Sequence, residues 1–221
     1  MLSKRRPLFC SQKSLKLSIQ ISVFYVGKTL QNEDGENIEY YKRDCLNFSC
    51  KRYSFDAFIF SYKYDGIIRK LMLDFKFKNK KYLHRFFAYD LSLKIKKFCM
   101  QTNMKFDYII AVPISFKRYM ERGYNQSNLI ARAVSHNLSV PLLNYCLIKT
   151  KHNQRQSELR HAQRRSNAQG AYKTILSKCL QGRSILLIDD IFTTGSTVEE
   201  CCRVLKNAGV KSIVVATSTK A

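Results

Sequence analysis

Apolar and polar positions along the chain change rhythm twice. Near the N-terminus Leu17, Ile19, Ile21 and Val23 alternate with Ser18, Gln20 and Ser22, the period-two pattern of a half-buried strand. A strand is therefore expected within 15–26. An acidic, polar turn follows at 31–36, and residues 55–62 (Phe-Asp-Ala-Phe-Ile-Phe-Ser-Tyr) form a second strand-like run ending at Asp65-Gly66. Ile67, Ile68, Leu71, Met72 and Phe75 then recur at helical spacing, and a second helix is expected from about Tyr82 to Phe98, with Leu83, Phe86, Phe87, Leu91 and Ile95 on one stripe. Both helices set their apolar faces opposite lysines, so core packing is the first explanation of their aromatic residues.

From Phe106 the rhythm becomes strand–loop–helix. Tyr108 to Val112 is a continuous apolar run, as expected of a strand buried on both faces, and Pro113 closes it. A polar, basic loop leads to a helix predicted from Ser127 to Asn137, with Leu129, Ile130, Ala133 and Val134 inward, then to a short strand around Cys146, Leu147 and Ile148. Residues 151–169 carry four arginines and no sustained apolar period; a loop of that length inside a compact domain usually has a function. Ser184 to Ile188 is a second strand of the buried type, 198–207 a helix with Gly209 just past its end, and 212–216 a last strand. Alternating strands and helices predict an α/β fold, a mostly parallel sheet flanked by helices. The division expected is a small irregular N-terminal extension over 1–53 and a main domain over 54–221.

Charge sharpens this picture. The 221 residues hold 39 Lys and Arg against 16 Asp and Glu, a formal net charge of +23. Residues 182–221 contribute only +1, whereas 51–105 contribute +10 and 117–173 contribute +9. A field of that sign attracts polyanions: phosphorylated metabolites, nucleic acid or an anionic membrane surface. No apolar run approaches the roughly 20 residues a membrane span needs. Lys4-Arg5-Arg6 ahead of an apolar stretch has the outline of a signal peptide, but Gln20 and several serines interrupt it and no small-residue cleavage site follows. A cytoplasmic protein is expected. The eight cysteines are scattered without a paired C-x-x-C, which fits reduced, buried thiols better than disulfides or a metal site.

The candidate chemistry sits in Ile185-Leu-Leu-Ile-Asp-Asp-Ile-Phe-Thr-Thr-Gly-Ser-Thr197. The strand's C-terminal end, where α/β sheets hold ligands, presents Asp189 and Asp190. Adjacent side chains on an extended chain point to opposite faces, so both can meet one ligand only if the chain turns there. Thr193, Thr194, Gly195, Ser196 and Thr197 are small, hydroxyl-rich and open a helix, where successive N–H groups cradle a phosphate. Carboxylates beside a phosphate cradle suit ribose hydroxyls or a bridging Mg²⁺. A capped helix start with an Asp pair as turn residues is the structural alternative.

This segment resembles the 5-phosphoribosyl-1-pyrophosphate (PRPP) binding motif of type I phosphoribosyltransferases. Val112-Pro-Ile-Ser-Phe-Lys-Arg-Tyr-Met-Glu-Arg-Gly-Tyr-Asn-Gln126, Arg155 to Asn167 and Gly170-Ala-Tyr172 are similar to the ComF-type competence subfamily, and the likeness extends over about 54–220. The resemblance implies that Asp189 and Asp190 meet the ribose hydroxyls of PRPP and its Mg²⁺, and that Thr193 to Thr197 cradle the 5′-phosphate. It implies that Arg118, Arg122 and Gly123 face pyrophosphate, and that 151–169 is the loop that closes over the site, with Arg155, Arg160, Arg164 and Arg165 able to stabilise the departing pyrophosphate. Reaction would be attack on C1 of PRPP as pyrophosphate leaves, needing no protein nucleophile; no residue set specifies the acceptor. DNA uptake in natural transformation is the implied setting, with single-stranded DNA and other competence proteins as partners. A rival reading is a non-catalytic protein that senses PRPP and holds single-stranded DNA on a stacking platform such as Phe75, Phe77, Tyr82, Phe86 and Phe87 among lysines. Family members often begin with a zinc module of paired cysteines; Cys45 and Cys50 are separated by four residues and Cys10 is isolated, so 1–53 reads as a degenerate remnant. Phe192 stands where many such motifs carry an aliphatic residue.

Overall fold

The computed structural model describes residues 53–150 and 170–221, with the backbone of 22–25. Five strands form the main sheet: β1 (Ser22–Tyr25), β2 (Ala57–Lys63), β3 (Tyr108–Ala111), β6 (Ser184–Phe192) and β7 (Ser212–Lys220), in the order β1-β2-β7-β6-β3. β1 runs antiparallel to β2; every other neighbouring pair is parallel. Between them lie α1 (Gly66–Phe77), α2 (Leu83–Thr102), α3 (Phe116–Arg122), α4 (Gln126–Leu138), α5 (Ser177–Leu180) and α6 (Ser196–Asn207). β4 (Leu147–Lys149) and β5 (Tyr172–Thr174) form a separate antiparallel pair.

The central strands are buried on both faces, which is why their sequences read as unbroken apolar runs. Ile185 and Leu187 of β6 pack with Val198, Cys201 and Cys202 of α6 in one cluster. Leu186 and Ile188 pack with α2 and α4 through Leu91, Ile95, Ile130 and Val134 in the other. The cysteines at 146, 201 and 202 are fully buried in the first cluster, consistent with their acting as small hydrophobes.

Four expectations need correction. β6 does not stop at Ile188: it continues through both aspartates to Phe192, paired with β7 up to Lys220. The loop after Pro113 contains a helix, α3, capped by the Ser115 side chain. No α3 residue is buried, so it carries no inward apolar stripe to announce it. Core packing accounts for Leu83, Phe87, Leu91 and Ile95 of α2 but not for Phe86, which is 43% exposed. The proposed stacking platform splits: Phe75 and Phe87 belong to the core, while Phe77 and Tyr82 join Phe86 on the surface. Cys10, Cys45, Cys50 and nearly all of 1–53 lie outside the described residues.

Candidate functional site

The site forms where β6 outruns β3. β3 pairs with β6 only as far as Ala111 opposite Ile188, so the next residues of β6 have no strand on that side. Asp189 and Asp190 occupy this step. The chain does not turn, and the alternation that sends 185 and 187 one way and 186 and 188 the other carries into the acid pair, dividing it between the two faces of the sheet. Both aspartates are largely buried rather than presented to solvent.

Each carboxylate has its own polar surroundings. Asp189 Oδ1 accepts from Ser127 Oγ at 2.8 Å and from the Asp190 N–H at 2.9 Å. Burial, then the neighbouring Asp190 charge, pushes the Asp189 carboxyl up to about 7, against the pull of those two donors. Asp190 Oδ2 lies 2.8 Å from Lys76 Nζ, at the last turn of α1, with both side chains mostly buried. On the Asp189 side, Lys149 Nζ sits 5.2 Å from the centre of the Tyr172 ring, directly across the β4–β5 ladder. Burial and the nearby Arg118 charge hold the Lys149 amine below the usual lysine range. Burial, with the Cys201 and Asp189 charges behind it, raises the Tyr172 hydroxyl, which a hydrogen bond with Thr197 partly offsets.

After Phe192 the chain turns through Thr193 and Thr194 into Gly195, which is the N-cap of α6 at φ +72. A Cβ there would stand 2.6 Å from Phe192 Cζ, so glycine is demanded both by the left-handed backbone and by the ring beneath it. The Phe192 ring itself packs 4.4 Å, centre to centre, from Phe58. Thr194 Oγ1 and Ser196 Oγ are 2.9 Å apart, bracing the turn. Gly195 has no side chain to cap α6; the Ser196 N–H donates to Thr194 Oγ1 at a long 3.4 Å, and the N–H groups of the first turn have no carbonyl within the helix.

The segment from Arg122 to Gln126 has a structural account residue by residue. Arg122 donates to Gln126 Oε1 at 3.2 Å and lies over the Phe77 ring at 5.0 Å; burial lowers its guanidinium, while the Asp190 charge opposes that fall. Gly123 ends α3 at φ +73 with its N–H committed to the Tyr119 carbonyl, so that amide is not on offer to an anion. The Tyr124 hydroxyl donates to the Phe75 carbonyl, tying α1 to this loop. Asn125 caps α4 and also donates to the Val112 carbonyl at 3.0 Å, which fixes the loop to the end of β3. Arg118 stands one helical turn before Arg122, so both guanidinium groups share one face of α3.

The structure thus gathers Asp189, Asp190, Arg118, Arg122 and Thr193 to Thr197 at one end of the sheet. Arg155 and Arg160, with Arg164 and Arg165, lie outside the described residues. The two ends of that stretch are anchored here: the Thr150 N–H donates to the Ala171 carbonyl at 2.9 Å, and the Gly170 N–H to the buried Glu200 of α6 at 2.6 Å. Lys76, Ser127, Lys149 and Tyr172 were missed by sequence reasoning. Each sits on a separate element, and nothing local distinguishes Lys76 or Lys149 from the other lysines of the chain.

Residues 125–221 match the family model described as the phosphoribosyl transferase domain. The chain is 32% identical over 183 residues to Competence protein F of Haemophilus influenzae, covering 82% of this chain and 80% of that protein. The chain belongs to the ComF family. It is also 34% identical over 109 residues to the DNA utilization protein YhgH of Escherichia coli O157:H7, spanning about half of each chain (49% and 47%). With Competence protein ComFC of Bacillus subtilis it shares 27% identity over 156 residues, 67% of this chain and 57% of that one. The family assignment and the parallel α/β fold support the expected type I phosphoribosyltransferase-like architecture. Among the described residues, no helix is long and apolar enough to cross a membrane.

Proposed function

We propose that this ComF-family protein binds PRPP with Mg²⁺ at the end of β6 and acts in DNA uptake, with capacity for phosphoribosyl transfer to an acceptor the fold does not specify. The carrying observation is the juxtaposition of the acid pair with the glycine-capped start of α6, ringed by Lys76, Lys149, Arg118 and Arg122. Thr193 to Thr197 would receive the 5′-phosphate at the first turn of α6, where helix dipole and amides favour an anion. With the pair divided between the two faces, Asp190, beside Lys76, would accept from the ribose hydroxyls, while Asp189 would stay bonded to Ser127. Arg118 and Arg122 would meet the pyrophosphate, and Arg155 and Arg160 would close on it. The names of the relatives, two competence proteins and a DNA utilization protein, support the DNA-uptake setting.

Among the described residues no three His, Cys, Asp or Glu side chains converge as a metal site. Two carboxylates divided between the faces of a strand fit a Mg²⁺ that arrives already coordinated by phosphates rather than one caged by protein. When bound, Mg²⁺ would neutralise pyrophosphate charge. The protein's own part is to hold the ribose, offer guanidinium forks to the leaving group and exclude water. The test is a melting experiment with PRPP and Mg²⁺: a rise is expected for the wild type and none for the Asp189→Asn/Asp190→Asn variant. Equal rises would remove the site assignment. Pyrophosphate release across a panel of bases and nucleosides would then identify an acceptor.

A second reading, single-stranded DNA binding, is supported by the outer face of α1 and α2. Phe77, Tyr82 and Tyr89 are 66%, 64% and 65% exposed there. Between Gly66 and Met100 every exposed charged side chain is basic, and both acids, Asp74 and Asp90, are buried against lysines. Rings interleaved with cations suit stacked bases and their phosphates. Oligonucleotide affinity should fall with salt at a log–log slope of about −0.7 per phosphate neutralised, and Tyr82→Ala/Tyr89→Ala should weaken it. No binding at low salt dismisses this reading.

A further inference from the structure

Lys76 is the one ammonium in direct contact with the acid pair among the described ion pairs, 2.8 Å from Asp190 Oδ2, with the two side chains 14% and 10% exposed. A pair this desolvated costs heavily when one partner leaves and nothing replaces it. The displaced ammonium has poor alternatives on its own helix. The nearby carboxylate of Asp74 is already taken by Lys78 at 2.8 Å and Lys80 at 2.7 Å. Next to Asp190 stands the half-buried Arg122, a like charge. A divalent cation entering alone must therefore evict Lys76 into a cationic neighbourhood. A cation that enters with a phosphorylated ligand brings oxygens that can receive the ammonium.

We propose that Lys76 is the resident counter-ion of Asp190 and makes the site accept a divalent cation only in company with a polyphosphate anion. This rests on the phosphate-and-ribose reading above. Lys76 is then a positioning residue that couples two ligands: the anion raises affinity for the cation, and the cation raises affinity for the anion by the same factor. The charge, not the exact shape of the side chain, does the coupling, so arginine should replace it and a neutral residue should not.

The experiment uses Mn²⁺ as a paramagnetic probe on the full chain, with binding read by electron paramagnetic resonance and folding by far-ultraviolet circular dichroism. Without any anion, Lys76→Met should bind Mn²⁺ about tenfold more tightly than the wild type, since the competing charge is gone; Lys76→Arg should match the wild type. Lys76→Met/Asp190→Asn should lose the gain, assigning it to that carboxylate. Inorganic pyrophosphate should strengthen Mn²⁺ binding in the wild type and clearly less in Lys76→Met. Should Lys76→Met fail to fold, Lys76→Gln takes its place under the same expectations. A neutral variant that binds Mn²⁺ no better than the wild type, or a gain that survives Asp190→Asn, overturns the proposal. A wild type indifferent to PRPP would instead sink the functional reading, and leaves the comparison of Mn²⁺ alone intact.

Discussion

Replacing Gly195 by alanine tests the geometry of the turn that would hold a phosphate. Two separable costs follow from the structure. The backbone at φ +72 is a left-handed conformation that a Cβ penalises by about 1–2 kcal/mol. The added methyl would also stand 2.6 Å from Phe192 Cζ. That ring cannot retreat: it is buried and packed against Phe58 at 4.4 Å and Tyr53 at 6.4 Å, so overpacking adds about 1–3 kcal/mol. Gly195→Ala should therefore lose about 2–5 kcal/mol, or a melting point lower by about 5–15 °C for a chain of this size. Phe192→Leu alone should cost about 1 kcal/mol as a roughly volume-conserving change. In the double variant the clash is gone but the backbone strain remains, so the pair should be less harmful than the sum by about 1–3 kcal/mol. The chain contains no tryptophan, so urea unfolding followed by far-ultraviolet circular dichroism is the suitable assay. Strict additivity of the two substitutions would refute the ring contact, and a Gly195→Ala cost below about 1 kcal/mol would refute the left-handed strain.

The remaining predictions concern the groups around the acid pair. Because burial raises the folded-state pKa of Asp189 from 3.8 to about 7, its contribution is fully present below about pH 4 and is lost as pH rises through 7. The shift of about 3 units corresponds to at most about 4 kcal/mol. Asp189→Asn, which keeps an acceptor for Ser127 Oγ, should accordingly gain on the ligand-free wild type between pH 4 and pH 8 in urea titrations; a constant difference would count against the buried charge. Ser127→Ala removes one of the two donors to Asp189 Oδ1 and should cost about 1–3 kcal/mol at pH 8, with a smaller loss at pH 4, where the carboxyl is protonated. Asn125→Ala loses both the α4 cap and the bond to the Val112 carbonyl and should cost about 1–2 kcal/mol; an effect under a few tenths would show that the loop after β3 is held by other contacts.

Local pattern was sufficient for much of this molecule. Unbroken apolar runs marked β3 and β6 because strands buried on both faces need no polar side. The helical stripes of α1, α2 and α4 were visible for the same reason: each must bury one face. The motif from Asp189 to Thr197 was legible because strand end, acids and glycine-opened helix are contiguous in the chain. What sequence could not decide depends on neighbours distant along it. Whether β6 stops or continues past Ile188 is set by β7, which pairs with it to Phe192. Which aromatic residues face outward on α2 depends on where the sheet lies, and a step of one residue around the helix separates exposed Phe86 from buried Phe87. Above all, the cations that surround the acid pair come from positions 76, 118, 122 and 149 on α1, α3 and β4. Arg118 and Arg122 are one helical turn apart and legible together, but no spacing rule adds Lys76 or Lys149 to them; only the packing of those elements at the step between β3 and β6 brings Lys76 and Arg122 to Asp190 and Lys149 to the Asp189 side.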